Sequence, residues 1–341
     1  MAYPTVDTVT QPGVKNLTGA EDQLYLTMFS GEVLNIFRDK NVMMEKSRVM
    51  QVGPGKDFQF PKLGQASTAY HVKGQSLLND AHSYLSDIEH TDTIIPVDKI
   101  LLSSIFVDNW DEIIKHYETR SEYAYQLGAA LARKMDKQLF ALATAKGLAE
   151  ATPGASSDFT AALNTDKTKA SLIDIDGVND ATDAGVALLE QGMVDAAAAF
   201  AAKDVPMDDV TFFVRPDQYY QLQKQGALLN VDYGNAGNGS KAGGAIFRGY
   251  GFNIEWTNHL PQAAVTADQG GNSDYATTRG ITALAMERGA LGTVMRQSVQ
   301  TETDYQVERQ GSLVVSKVVC GHGVLRPECL AVIYDSTIPQ T

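Results

Sequence analysis

A chain of 341 residues, 44% hydrophobic and 20% charged, is long enough to bury a large core and too apolar to be disordered; two subdomains, or one domain with long excursions, are expected. Its formal net charge of −13 excludes a protein that coats nucleic acid, which needs a basic stripe to displace counterions. No run approaches the ~20 apolar residues of a membrane span, and MAYPTVDTVTQPGVKN lacks the basic start and apolar stretch of a signal peptide, so synthesis in a cytoplasm is expected.

Residues 1–20 carry Pro4, Pro12, Gly13 and Gly19 with little periodicity, the mark of an extended arm that folds only against something else. From 20 to 37, Leu24, Met28, Val33 or Leu34, and Phe37 approximate one apolar face, which predicts a short helix. From 42 to 102 the period drops to two. In KDFQFPKL at 56–63, Phe58, Phe60 and Leu63 fall near one side of a ribbon, and the β-branched run at 90–98 supplies a second strand. Two strands joined by roughly thirty residues make a long hairpin that is only marginally stable alone, so its stabiliser is expected to be another subunit.

Between 110 and 150 the period returns to 3.6. Asp108 or Asn109 is placed to cap a helix, Asp111 and Glu112 fill its first turn, and Ile113, Tyr117, Leu127, Leu131, Met135, Leu139 and Leu142 recur at helical spacing. A helix of about 38 residues would run roughly 57 Å. The heptad is not sustained, and Ala129, Ala130 and Ala132 suit packing on a sheet, so a spine is expected rather than a coiled coil. Pro153-Gly154 ends it. An alanine-rich helix follows at 179–202, with Leu188, Leu189, Met193, Ala197 and Phe200 inward. Residues 151–214 hold eleven acids, among them Asp166, Asp174, Asp176, Asp180, Asp183, Glu190 and Asp195, against three lysines. That excess reads as a solubilising face, or as a surface that repels a polyanion or meets a basic partner.

VTFFV at 210–214 has the composition of a buried strand, and Asp217 is positioned to cap the short helix bearing Tyr219, Tyr220 and Leu222. YGNAGNGSKAGGAIFRGYG at 233–251 holds seven glycines. A phosphate loop needs Gly-Lys followed by Ser or Thr, whereas Lys241 follows Ser240 and precedes Ala242, so a loop at a subdomain tip is expected. Further strands are expected at 252–256 and 281–286, and a pair at 304–308 and 313–319. The final stretch, GHGVLRPECLAVIYD at 321–335, bends at Gly321 and Gly323, is fixed by Pro327, and ends in a strand over 330–334.

That stretch also holds reactive residue types. Cys320 and Cys329 fit neither a CxxC pair nor a zinc knuckle and read as buried thiols. His322 and Cys320 flank Gly321 and are placed to be neighbours, but no nucleophile elbow accompanies them. His71, His82, His90, His116 and His259 show no metal-ligand spacing. Catalytic residues, cofactors and metals are therefore expected to be absent; Arg326 and Glu328 read as an ion pair at a strand start.

GHGVLRPECLAVIYD resembles the C-terminal signature of the major capsid proteins of T7-like tailed bacteriophages. GEVLNIF at 31–37, GKDFQFPKLG at 55–64, HYETRSEYAYQLGAALA at 116–132 and VPMDDVTFFVRPDQYYQL at 205–222 resemble that family in the same order. The resemblance implies an α+β, HK97-like capsid fold: an N-terminal arm at 1–49, an extended E-loop hairpin at 50–102, a peripheral domain with a spine helix at 103–204, and an axial domain at 205–341 with a strand return to the peripheral domain. It implies a homo-oligomer of hexamers and pentamers, assembled in a host bacterial cytoplasm into the icosahedral shell of a virion. The shell would form as a procapsid on a scaffolding protein, with a portal protein at one vertex and a possible cement or decoration protein, and would expand around packaged double-stranded DNA bound without sequence specificity, with no membrane. Lys56, Phe58, Phe60, Lys62 and Tyr70 of the hairpin, Arg120 and Glu122 of the helix, and Arg326 and Glu328 are the candidate subunit-interface residues. Two alternatives are a nanocompartment shell of the same fold and a Cys/His hydrolase centred on 320–329.

Overall fold

A computed structural model describes residues 42–335 apart from positions 54, 56, 64–65, 67, 75, 77–87, 89, 98, 111–119, 151–168, 176, 179–182, 226–238, 241–244, 247, 263, 266–274 and 278–280. The expected arm and first helix, and Ile113 and Tyr117, lie outside the described residues. In chain order the elements are β1 (Arg48–Gln51), β2 (Asp57–Leu63), β3 (His90–Pro96), β4 (Ile100–Asp108), α1 (Arg120–Glu150), β5 (Ser171–Asp174), α2 (Asp183–Ala202), β6 (Val210–Val214) and α3 (Pro216–Gln225). Then come β7 (Gly239–Ser240), β8 (Ala245–Ile246), β9 (Arg248–Gly249), β10 (Phe252–Trp256), β11 (Ala283–Glu287), β12 (Leu291–Gln306), β13 (Gly311–Val324) and β14 (Leu330–Tyr334).

Two compact units divide these residues. The larger holds the described parts of 41–101, 132–298 and 318–335; the smaller holds 102–131 and 299–317. Within the larger unit α2 shares one core with the strands that follow it.

The larger unit is built on a six-stranded mixed sheet in the order β5-β14-β11-β6-β10-β9. Strands β6 and β14 read VTFFV and LAVIY and are buried along their whole length, as strands covered on both faces must be. Glycines show what covers them. A Cβ at Gly147 of α1 would overlap Val332, and one at Gly192 of α2 would lie 3.0 Å from Ile333. Successive side chains of a strand point to opposite faces, so α1 and α2 press on opposite sides of β14. The aromatic rings repeat the division. Phe140 of α1 packs edge-on against Phe213, while Phe200 of α2 meets Phe252, which in turn meets Phe212.

Leu127, Leu131, Met135, Leu139 and Leu142 are buried, as are Leu189, Met193 and Phe200, with Leu188 and Ala197 packed against the core. Residues 185–202 are long and apolar enough to cross a membrane on composition, but Val186, Leu189, Met193, Ala196 and Phe200 serve the core instead. Within the acidic segment, Asp195 is buried and burial raises the pKa values of Asp195 and Glu190, so not all of that excess forms a solvated face.

Helix α3 begins at Pro216, so Asp217 lies inside its first turn rather than capping it; proline, with its preset φ and no N–H to lose, takes the first helical position. Among the described residues of the glycine-rich stretch, β7 pairs with β8 and β9 with β10.

The smaller unit contains β4 from Leu102 onward and the adjoining ends of β12 and β13. Those two strands are far longer than the expected pair, and a 3-10 turn at Val307–Arg309 joins them. Gln310 leaves the turn with φ 52°, and its carbonyl accepts a hydrogen bond from the Asn109 amide at 3.0 Å. Asn109 Nδ2 donates to the Tyr305 hydroxyl at 2.8 Å. The Trp110 amide donates to Asp108 Oδ1 at 2.8 Å, consistent with Asp108 as the helix cap.

Candidate assembly site

The hairpin β2–β3 forms an antiparallel ladder from Asp57↔Pro96 to Leu63↔His90. Its period-two pattern sets Phe58, Phe60 and Ile95 on one face. Phe58 and Phe60 meet edge-on with centroids 4.8 Å apart, and Phe60 and Ile95 are buried with Val97, Val294 and Leu325. The base of the hairpin thus has a stabiliser inside the chain, where one in another subunit was expected. Phe60 is committed there too.

The seat for this base is the end of β13. A Cβ at Gly321 would overlap the Pro96 carbonyl oxygen, and one at Gly323 would come within 2.6 Å of Ile95 Cγ1. Neither glycine has a positive φ, and both lie inside β13, so they do not bend the chain as expected. Their role is to let another backbone approach.

Between the two glycines, His322 points into the interior. Thr293 Oγ1 lies 3.1 Å from its Nδ1 and Cys320 Sγ 3.6 Å from its Nε2. The layout imitates a nucleophile, a base and an orienting group, but the electrostatics oppose that use. Burial pushes the Cys320 thiol up to about 11 and the His322 imidazole down to about 4, so near neutral pH the cluster is an uncharged thiol and an uncharged ring. Cys329, wholly buried, is pushed up to about 12, chiefly by burial. A thiol hydrolase needs the thiolate, and this site suppresses it.

Beyond β13, the Leu325 and Arg326 amides both donate to the Ala290 carbonyl. Pro327–Cys329 forms a 3-10 turn that buries Glu328. Glu328 receives Arg326 Nε at 2.9 Å and Lys62 Nζ, from the hairpin, at 3.4 Å. Of the nine residues proposed from sequence, the structure therefore brings together Phe58, Phe60 and Lys62 with Arg326 and Glu328. Tyr70 stands apart and is fully exposed. Lys56 and the side chains of Arg120 and Glu122 lie outside the described residues, although α1 includes both helical positions.

Sequence reasoning missed three contributors. Thr293 sits in the unanticipated half of β12. Asp136, buried in α1, accepts the amides of Val42 at 3.1 Å and Met43 at 3.3 Å, and His259 Nδ1 approaches the same carboxylate at 3.4 Å. This clamp fixes where the amino-terminal segment joins the core. An aspartate interrupting the apolar face of a helix was its one visible signal.

A hairpin seated on its own subunit and a long helix across a sheet describe a building block. The family model for Gp10A-like major capsid proteins matches residues 59–334. The chain belongs to that family. The major capsid protein of Escherichia phage T7 is 29% identical over 343 residues, covering 92% of this chain and 93% of its own. The capsid of cyanophage P-SCSP1u aligns with a TM-score of 0.72 at 29% identity, covering 95% of this chain and 97% of that one. The mature capsid of bacteriophage PhiM1 shares the fold with a TM-score of 0.69 at 18% identity, over 92% and 93% of the two chains. The fold is α+β and HK97-like. This major capsid protein has a structural role, as a subunit of a T7-like phage shell, and its place is the virion capsid.

Proposed function

We propose that this major capsid protein assembles as hexamers and pentamers into an icosahedral shell around a double-stranded DNA genome. The shell forms in the bacterial cytoplasm as a procapsid on a scaffolding protein, carries a portal protein at one vertex, and expands as DNA enters. A cement or decoration protein docks outside. Residues 1–49 act as the arm, 50–102 as the E-loop, and the peripheral and axial roles divide near 204.

The observation that supports this reading is the contrast along the hairpin. Its base is buried on β13, while residues 68–74 carry no burial of their own, Tyr70 least of all. An exposed ribbon becomes stable by lying across a neighbour, and many such weak contacts closed into a lattice give collective strength. Lys56, Phe58, Lys62 and Tyr70 contact the neighbour, as do Arg120 and Glu122. The acidic excess lets DNA slide along an inner wall that does not bind it; a strongly positive potential measured on that wall would sink this part.

Negative-stain electron microscopy of the purified protein, expressed with and without the adjacent scaffolding gene, tests the whole. Closed shells or rings of five and six are expected. A monomer under both conditions overturns the reading.

A further inference from the structure

Within the larger unit the hairpin β2–β3 is held at two places along one face. Phe58, Phe60 and Lys62 stand at alternate positions of β2 and so point to the same side. The first hold is the seat, where Pro96 and Ile95 lie against Gly321 and Gly323. The second is farther out: Ile95 pairs with Phe58, whereas Thr91 pairs with Lys62, about 13 Å along the ribbon. There Lys62 Nζ lies 3.4 Å from Glu328 Oε2. A ribbon held only at its seat can swing about it, and a second hold removes that freedom.

Glu328 is mounted as a fixed post. Pro327 presets the backbone of its 3-10 turn, the Cys329 amide donates to the Arg326 carbonyl, and the Leu325 and Arg326 amides donate to the Ala290 carbonyl. Arg326 Nε takes Oε1 of the same carboxylate at 2.9 Å, which leaves Oε2 to Lys62. The Glu328 side chain is 10% exposed and that of Lys62 37%, so the second hold sits at the wet margin of the apolar seat, where a long stem with a charged head fits. We infer that Lys62 is a positioning residue for assembly: through Glu328 it fixes the angle at which the hairpin leaves the core and aims residues 68–74 before a neighbouring copy is met. A half-exposed ion pair adds little to stability. Its value is preorganisation, since a segment already held in its binding pose loses less freedom when the partner arrives.

The inference rests on the shell-forming reading, and a distance measured in the isolated full-length subunit separates the two. One nitroxide label goes on Tyr70→Cys, fully exposed between β2 and β3, and one on Val194→Cys, 41% exposed on α2; Cys320 and Cys329 are buried and take no label. Pulsed electron resonance should give one narrow distance distribution. Lys62→Met should widen it about twofold, and Lys62→Arg, which keeps the charge, should restore it. The urea midpoint should be the same for all three chains. Shell yield should follow the width, falling roughly fivefold with Lys62→Met and recovering with Lys62→Arg.

A width that Lys62→Met leaves unchanged overturns the inference, as does a parent distribution that is already broad or a Lys62→Arg chain that behaves like Lys62→Met. A widened distribution with undiminished shell yield overturns it too, because the angle would then be irrelevant to assembly. If Lys62→Met unfolds the subunit, Lys62 is a stabilising residue and the inference fails. Absence of shells from the unlabelled parent chain counts against the shell reading itself, and the distance measurement still decides whether Lys62 fixes the angle.

Discussion

The core strands of the larger unit and the β12–β13 tip of the smaller one are made from the same element and spend their side chains differently. Every residue of β6 and β14 is buried, whereas β12 from Ser298 to Tyr305 is exposed on both faces. The first is finished when one chain folds. The second offers surface that one chain leaves unused, and in a shell protein that surface is available for contacts between copies.

The largest effect is expected where the first kind of strand is broken. Phe213 is fully buried and packs on Phe140 with centroids 5.2 Å apart. Phe213→Ala should cost about 3–5 kcal/mol, read as a lower urea midpoint of the isolated subunit. An effect below about 1 kcal/mol would mean that the sheet is not the folding core.

Next is the buried His322. Its folded-state pKa is depressed to about 4 from 6.5 by burial. The unfolded chain therefore takes up a proton first as pH falls, and stability present above pH 6.5 is lost on the way to pH 4. Each unit is 1.36 kcal/mol, so the loss is on the order of 3 kcal/mol. His322→Gln should flatten this limb of a stability-versus-pH curve. Cys320 acts with the opposite sense at the alkaline end: its pKa is raised from 9.0 to about 11, so stability present below pH 9 is lost as pH climbs toward 11.

Gly321→Ala sharpens the comparison at the junction of hairpin and strand. The new methyl group meets the Pro96 carbonyl, a backbone atom that has no rotamer with which to yield. A cost of roughly 1–3 kcal/mol is expected, with faster proteolysis of the hairpin and an unchanged β6–β14 core. Gly53→Ala is the control, since a Cβ there meets nothing within 4 Å. If both variants behave alike, the hairpin base does not depend on this close approach.

These expectations also mark how far the sequence could be read. The strands β2 and β3 and the buried faces of α1 and α2 were legible because each buries a regular stripe, and period two or 3.6 survives in the letters, whereas β6 and β14 were legible as short apolar runs. Most of β12 was not. LGTVMRQSVQTETDYQ changes from buried to exposed partway, and where both faces are wet no alternation is required. Thr293, the third member of the His322 cluster, went unnoticed with it. Gly321 and Gly323 were singled out for the wrong reason, because a glycine that bends and one that admits a neighbour look identical until Pro96 and Ile95 are placed beside them. The family motifs supplied the fold that periodicity alone left open.

The smallest effect on folding is expected at the tip, and there the two regions should part most clearly. Val307 is 67% exposed in the turn between β12 and β13. Val307→Ser removes no buried contact, so the midpoint of the isolated subunit should move by less than about 0.5 kcal/mol. Assembly is the readout that matters. A contact repeated at every subunit multiplies a small local loss across the lattice, so the yield of closed shells should fall while the subunit stays folded. Unchanged yield would show that this surface faces solvent in the shell as well. A destabilised subunit would mean that the tip belongs to the folding core, and the distinction between strands finished by one chain and strands finished by its neighbours would fail at its outermost point.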